Sequence, residues 1–421
     1  MLAVAFLSVG WASTAASGWH HAVENNPAEA LRRPACATTS RASLLAMAAA
    51  APEAEKTSSS ATDEPLLLRA ARGEKVERTP VWMMRQAGRH MAAYRALVSK
   101  YPTFRERSET PEVSLEVSLQ PWKAYGVDGV ILFSDILTPL PAMGVDFAIS
   151  EAGGITIAPI RDREAFKRMT EHGPFEPEKE VPFVGEVLGQ LREAVAGSGA
   201  TVLGFVGLPF TLGTYLIEGA TGTKTGFAEM RKLRNDDPEL TRDILSLLAK
   251  NIADYAIYQI DAGAQVIQVF DSWAGHLTPE EFEEWAMPYQ KQVVSSIKER
   301  RPEVPVIIYM APDTHSKGGA LIEKLAASGC DVVSLDHTID LAEAKKRLAA
   351  AGYDKVGVQG NLDPELLRDG PPEKILEETN RILAQAGDTG HVMNLGHGIE
   401  ATTPEPYAAM FVDAVHDYKH D

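Results

Sequence analysis

The sequence predicts a parallel (β/α)8 barrel of the TIM type, and three observations predict it. Short apolar, β-branched runs recur along the chain, amphipathic stretches of helical period separate them, and polar residues gather immediately after the runs. The chain is long enough, since 421 residues can bury one large core. With 45% apolar and 24% charged residues its composition is that of an ordinary globular protein, which excludes a collagen-like or mainly disordered chain. A doubly wound open sheet would alternate in the same way. It would normally hold fewer strands, and nothing here resembles its Gly-rich phosphate turn.

The first sixty residues stand apart, with four basic residues (Arg32, Arg33, Arg41, Lys56), four acidic ones and much Ala, Ser and Thr. The opening MLAVAFLSVGWASTAASG has a short apolar stretch and small residues suited to signal cleavage, although it lacks a basic start. ALRRPACATTSRASLLAMAAAA, further on, is Arg- and Ser-rich and almost free of acids, the composition of a transit peptide. Residues 1–60 are therefore expected to be a disordered targeting leader, signal-like then transit-like, removed on entry to the stroma of a plastid bounded by more than two membranes. A disordered tail without a targeting role is the alternative. Residues 64–421 are expected to form one barrel domain.

In that body PVWMM (80–84), DGVILF (128–133), TVLGFV (201–206), QVIQVF (265–270), VPVIIYM (304–310), DVVSL (331–335), KVGVQ (355–359) and HVMNL (391–395) read as eight buried strands. Helices are expected over PELTRDILSLLAKNIADYAIYQIDAG, TPEEFEEWAMPYQKQVVSSIKER and PEKILEETNRILAQAG, the first and third ending in a helix-stopping Gly. After the strands come RQAGR, SD, GLPFT, DSWAGH, APDTH, DH, GNLD and GHG, which a barrel would bring to one face.

Charge and cysteine content narrow the function. A formal net charge of -17 is the wrong sign for general nucleic-acid binding, yet a few Arg in one cleft can still hold an anionic small molecule. No run approaches the roughly 18 apolar residues of a membrane span. Two cysteines, Cys36 and Cys330, build neither a disulfide framework nor a Cys-rich zinc site.

Four signals carry chemistry. Arg85 and Arg89 lie four apart around Gly88 after an apolar run, a spacing that can aim two guanidinium forks at carboxylates or pair both with nearby acids on a solvated face. Asp135 ends a run that carries no charge before it, so its donors come from a ligand or from the cap of the next helix. Tyr215 and Ser272 follow strands and can donate to an anion; equally, Tyr215 can be a core aromatic and Ser272 a helix cap. His397 lies between two glycines, either close to a ligand or as a satisfied loop histidine.

Taken together, RQAGR, LFSDIL, GLPFTLGTYLIEG, FDSWAGHL, VQGNLDP and NLGHGI, in this order over nearly the whole body, resemble the uroporphyrinogen decarboxylase family. The resemblance implies a cofactor-free, metal-free (β/α)8 barrel, usually a homodimer. It implies a lyase that removes CO2 from the four acetate side chains of uroporphyrinogen III to give coproporphyrinogen III, in heme and chlorophyll biosynthesis. It also implies that Arg85, Gln86, Ala87, Gly88 and Arg89 with Tyr215, Ser272 and His397 bind the substrate, and that Asp135 accepts the pyrrole N–H groups and is catalytic together with Arg85. Departures from the family pattern are His90 after RQAGR, Trp273 after Ser272, and the segment 311–319. The rival readings are a zinc-dependent methyltransferase of the same superfamily and an inactive tetrapyrrole-binding barrel. No His-x-Cys occurs for the first, and Asp135 and both arginines are intact against the second.

Overall fold

The computed structural model describes residues 64–149, 154–312 and 319–420. The expected leader, residues 1–60, lies outside them, as do residues 313–318 of the departing 311–319 segment. Seven parallel strands run β1 (Gly129–Ile131), β4 (Thr201–Gly207), β5 (Val266–Phe270), β6 (Val306–Tyr309), β7 (Val332–Ser334), β8 (Gly357–Gln359) and β9 (His391–Val392), each paired with the next in that order. The register is regular, with Leu203 opposite Val266 and Ile307 opposite Val332. Between β1 and β4 an antiparallel hairpin, β2 (Phe147–Ile149) with β3 (Ile155–Ile157), is inserted. The barrel strands are buried along their whole length, as parallel strands with helices packed outside them must be.

The eighth expected strand, 80–84, is present only in outline. Val81 forms an isolated parallel bridge with Met393, the Trp82 N–H donates to the Met393 carbonyl at 3.2 Å, and the Met393 N–H donates to Pro80 at 2.8 Å. On its other side the Asp128 N–H donates to the Val81 carbonyl at 2.7 Å, so the segment closes the ring between β9 and β1. The Val81 N–H has no strand partner there and goes instead to the Asp128 carboxylate, 2.8 Å away. Arg78 grips the same carboxylate with both ends of its fork, at 2.7 and 2.6 Å. Burial pushes this acid up, but the Arg78 and His416 contacts more than offset it and hold Asp128 below the usual carboxylate range. A buried ion pair thus stands where ladder hydrogen bonds would be.

Two of the three expected helices form as read. Pro238–Ala262 starts where the Asp237 side chain accepts the Leu240 N–H at 2.9 Å with Pro238 in the first turn, and stops at Gly263, φ 136°, where a β-carbon would fall 3.0 Å from the Leu188 carbonyl. Pro372–Ala386 stops at Gly387. The third is two helices, Pro279–Trp285 and Met287–Arg300, broken at Ala286. Pro288 lacks the N–H a continuous helix needs there and its ring excludes the carbonyl one turn back, so the chain restarts with Pro288 in a first turn.

Candidate active site

The strand expected over 128–133 pairs only as far as Leu132, and beyond that point the helix Pro111–Tyr125 holds it. The Phe133 N–H donates to the Ser118 hydroxyl and the Ser114 hydroxyl donates to the Phe133 carbonyl, each at 2.8 Å. These two bonds deliver Asp135 to the end of the barrel. One of its oxygens, Oδ1, accepts the Leu137 N–H at 2.8 Å, so half of the carboxylate serves the capping role that the sequence left open. A turn over residues 136–139 follows, and then a short 3-10 helix, Pro141–Met143, rather than an α-helix. Burial raises the Asp135 carboxyl to about 6, and the Leu137 N–H and the Arg85 guanidinium pull it part of the way back.

Arg85 and Arg89 do not share a helical face, because residues 84–90 form turns. Arg85 is half-buried and Arg89 exposed. The left-handed backbone in this turn falls on Arg85 itself, φ 63°, rather than on Gly88. Its stem lies against the GHG turn. A β-carbon on Gly398 would come within 2.3 Å of Arg85 Cδ, and one on Gly396 within 2.1 Å of the His337 backbone nitrogen, so both glycines flanking His397 are required by close approach. Arg85 thereby lies in the electrostatic reach of Asp135, Tyr215, Tyr309 and His397, and burial draws its guanidinium below the ordinary value. Burial and the Arg85 charge push His397 down to about 3, so its imidazole is neutral.

Tyr215 is fully buried on the helix Pro209–Glu218, its ring 4.0 Å from that of Trp273, and burial together with the Asp135 charge raises its phenol well above 10. Ser272 is buried and its hydroxyl has no hydrogen-bond partner among the described residues. Gln86 is buried too, but its amide is used by the scaffold: Oε1 accepts the Met83 N–H at 3.0 Å and Nε2 donates to the Gly129 carbonyl at 2.8 Å. Its side chain fastens the ring-closing segment to β1, its backbone N–H donates to the Met83 carbonyl at 2.9 Å, and Ala87 and Gly88 follow it in the turn. Beside them a cleft of about 340 Å³ opens between Trp82, Met84, Arg85, Ala87, Ile131, Phe133 and Phe270. His90 lies away from it, stacked on Tyr125 with its imidazole pushed by burial to about 4.

Three residues escaped the sequence reading. Tyr309 ends β6 and donates its hydroxyl to the Gly396 carbonyl at 3.3 Å, steadying the GHG turn. Asp271 directly follows β5, fully buried, and Thr211 binds it. Asp271 carried the same signal as Asp135, a charge closing an apolar run, while Tyr309 was a polar tip on one. Thr211 stood in the strand-end motif GLPFT, but nothing singled it out from its neighbours. Of the remaining strand-end motifs, Asp336 is taken up by the Thr338 N–H at 2.8 Å and Asn361 by the carbonyls of Asp336 and Ile339 at 2.7 and 2.8 Å, so GNLD is bracing.

Residues 62–418 match the family model described as uroporphyrinogen decarboxylase (URO-D). A uroporphyrinogen decarboxylase of Prochlorococcus marinus (strain NATL2A) is 50% identical over 351 residues, 83% of this chain and 95% of the relative. One from Picosynechococcus sp. is 48% identical over 356 residues, 84% of this chain and 97% of the relative. Among solved structures, a methyltransferase from Methanosarcina mazei superposes with a TM-score of 0.66 at 20% identity, covering 84% of this chain and 99% of its own. That likeness concerns the fold alone.

Proposed function

This chain belongs to the uroporphyrinogen decarboxylase family, and from that premise we propose how its own residues carry the reaction. The activity is that of a carboxy-lyase of porphyrin biosynthesis, which takes CO2 from the four acetate side chains of uroporphyrinogen and leaves methyl groups, giving coproporphyrinogen. Protonation of a pyrrole carbon makes a cation that receives the electron pair of the breaking C–C bond. The charge to be stabilised therefore appears on the macrocycle, and a fixed anion against its N–H groups acts where that charge develops.

We assign that anion to Asp135. The single observation that carries the assignment is a buried carboxylate, raised to about 6, with only one backbone N–H on Oδ1. Its acceptor capacity suits four pyrrole N–H groups converging on one point. A central acceptor also serves each acetate alike, since turning the macrocycle leaves the N–H groups in place. Arg85 holds the reacting carboxylate, Arg89 at the exposed rim captures outer ones, and Tyr215, Ser272 and neutral His397 donate uncharged hydrogen bonds. A zinc-thiolate reading gains nothing from the fold likeness, since Cys330 is buried and burial pushes its thiol up to about 12.

We further propose that residues 1–60 direct the chain to a plastid and are removed, that residues 64–421 act as one homodimeric domain, and that no cofactor is required. The family match begins only at residue 62, and the relatives named above are cyanobacterial, the lineage from which plastids derive. The central test incubates purified protein with enzymatically made uroporphyrinogen and separates the oxidised products by carboxyl number. Hepta- to tetracarboxylic products in series support the reading; an unchanged octacarboxylate removes it.

A further inference from the structure

Two of the residues assigned to substrate, Ser272 and Tyr215, stand on different elements, and one buried carboxylate ties them together. Asp271 directly follows β5 and is fully buried. Its Oδ1 accepts both the backbone N–H of Thr211, at 3.0 Å, and the Thr211 hydroxyl, at 2.7 Å. Its Oδ2 accepts the Gln290 amide at 2.8 Å, from the helix Met287–Arg300. Thr211 is the third residue of Pro209–Glu218, a helix whose own N-cap residue, Leu208, offers no capping side chain. The cap is supplied from outside the helix, by the next strand.

The same hydroxyl faces the other way as well. Thr211 Oγ1 accepts the Trp273 N–H at 3.1 Å, and the Ala274 N–H closes a turn onto the Asp271 carbonyl at 3.0 Å. Trp273 then lays its ring 4.0 Å from Tyr215, one helical turn beyond Thr211. A closed circuit results, running from Asp271 to Thr211, along the helix to Tyr215, across to Trp273 and back through Ser272. Within it the Ser272 hydroxyl and the Trp273 indole N–H are buried without an acceptor among the described residues. Unsatisfied buried donors tend to swing toward any protein acceptor in reach, and a turn pinned on both sides cannot swing.

We propose that Asp271, acting through the Thr211 hydroxyl, is a positioning residue for substrate capture, which holds Ser272 and Tyr215 in register as donors to the side-chain carboxylates of the tetrapyrrole. This rests on the decarboxylase reading above, which turnover by the wild-type enzyme tests separately. Burial raises Asp271 to about 6, the direction expected for a carboxylate held only by neutral donors. Its partner is adaptable, because Gln290 Oε1 is buried without a donor among the described residues, so a turned Gln290 amide can receive an Asn at 271.

The experiment measures kcat and KM for Thr211→Val, Thr211→Ser, Asp271→Asn and the double variant Asp271→Asn with Thr211→Val, with circular dichroism to confirm folding. Thr211→Val keeps shape and backbone N–H and deletes the hydroxyl. It is expected to raise KM about tenfold with kcat within about threefold, the loss of one hydrogen bond acting on capture. Thr211→Ser, which restores the hydroxyl, is expected to return KM to within about threefold of wild type. Asp271→Asn is expected to shift KM less than Thr211→Val, and the double variant to be no worse than Thr211→Val alone, since both changes act through one bond. An unchanged KM in Thr211→Val, a loss falling equally on kcat, or a double variant whose losses add would each overturn the proposal. Should Asp271→Asn fail to fold, the Thr211 pair decides by the same KM criterion.

Discussion

Asp135 joins stability and activity in one side chain. Its carboxyl stands at about 6 against an ordinary 3.8, so folding disfavours the ionised form. The stability that its protonated form contributes is fully present below the unfolded value near 4 and is lost as the pH climbs through 6, a difference of at most about 3 kcal/mol. Asp135→Asn removes that penalty and removes the charge opposed to the pyrrole cation. At pH 7 it should therefore melt at or above the wild-type temperature, with the gap closing toward pH 4, while kcat falls by about 10²-fold or more. A kcat within about threefold of wild type would take Asp135 out of the role given to it. The kcat/KM profile should lose activity below about pH 6 as Asp135 protonates. His397, held near 3, contributes no step of its own above pH 5, and imidazole NMR shifts unchanged between pH 5 and 8 would record it. Arg89→Lys, at the exposed rim, keeps charge and loses the fork; KM should rise with kcat nearly unchanged.

At the scale of elements, the GHG turn makes the sharpest forecast. Gly398→Ala sets a methyl against the Arg85 stem, which can move, whereas Gly396→Ala sets one against the His337 backbone, which cannot. The first should lower kcat/KM more than about tenfold while leaving the melting temperature within a few degrees. The second should melt several degrees lower, as overpacking against backbone commonly costs about 1–3 kcal/mol. Thermal scans and steady-state kinetics on the pair separate the two. Such contacts were not legible in the sequence, where both glycines merely flank a histidine. Asp135 was legible because a lone charge ended an apolar run, and the stops at Gly263 and Gly387 because glycine follows a helical period. The break at Ala286 was visible in Pro288 but overridden by an amphipathic pattern that continues across it. Thr211 did not stand out within GLPFT, since its importance comes from Asp271, a residue 60 positions away.

For the whole molecule, alternating strands and helices were enough to read the barrel, because eight apolar runs with polar ends have few other ways to bury themselves. What alternation could not reveal is how the ring shuts. The 80–84 run has the composition of a strand, yet only Pro80 to Trp82 pair, and the Asp128 carboxylate takes the Val81 N–H between them. The side-chain tie of Gln86, a substrate residue by the family resemblance, was not legible for the same reason: its partner Gly129 lies 43 positions away. Beyond the barrel, the leader proposal is testable at once. A fluorescent fusion of residues 1–65 should enter a plastid, and retention in the cytosol would refute the address without touching the enzyme.

The ring closure also sets an order of events. Pro80, Val81 and Trp82 find their partners at Met393, and Met84 finds Asn394 across 310 positions. A chain that leaves the ribosome, or is threaded through a translocon, amino end first can match its first strand to Asp128 early but must keep the other edge of that strand unmatched until almost the last residues emerge. The barrel is thus a hoop whose buckle arrives last, and through all of that passage its opening strand is an uncovered edge awaiting escort.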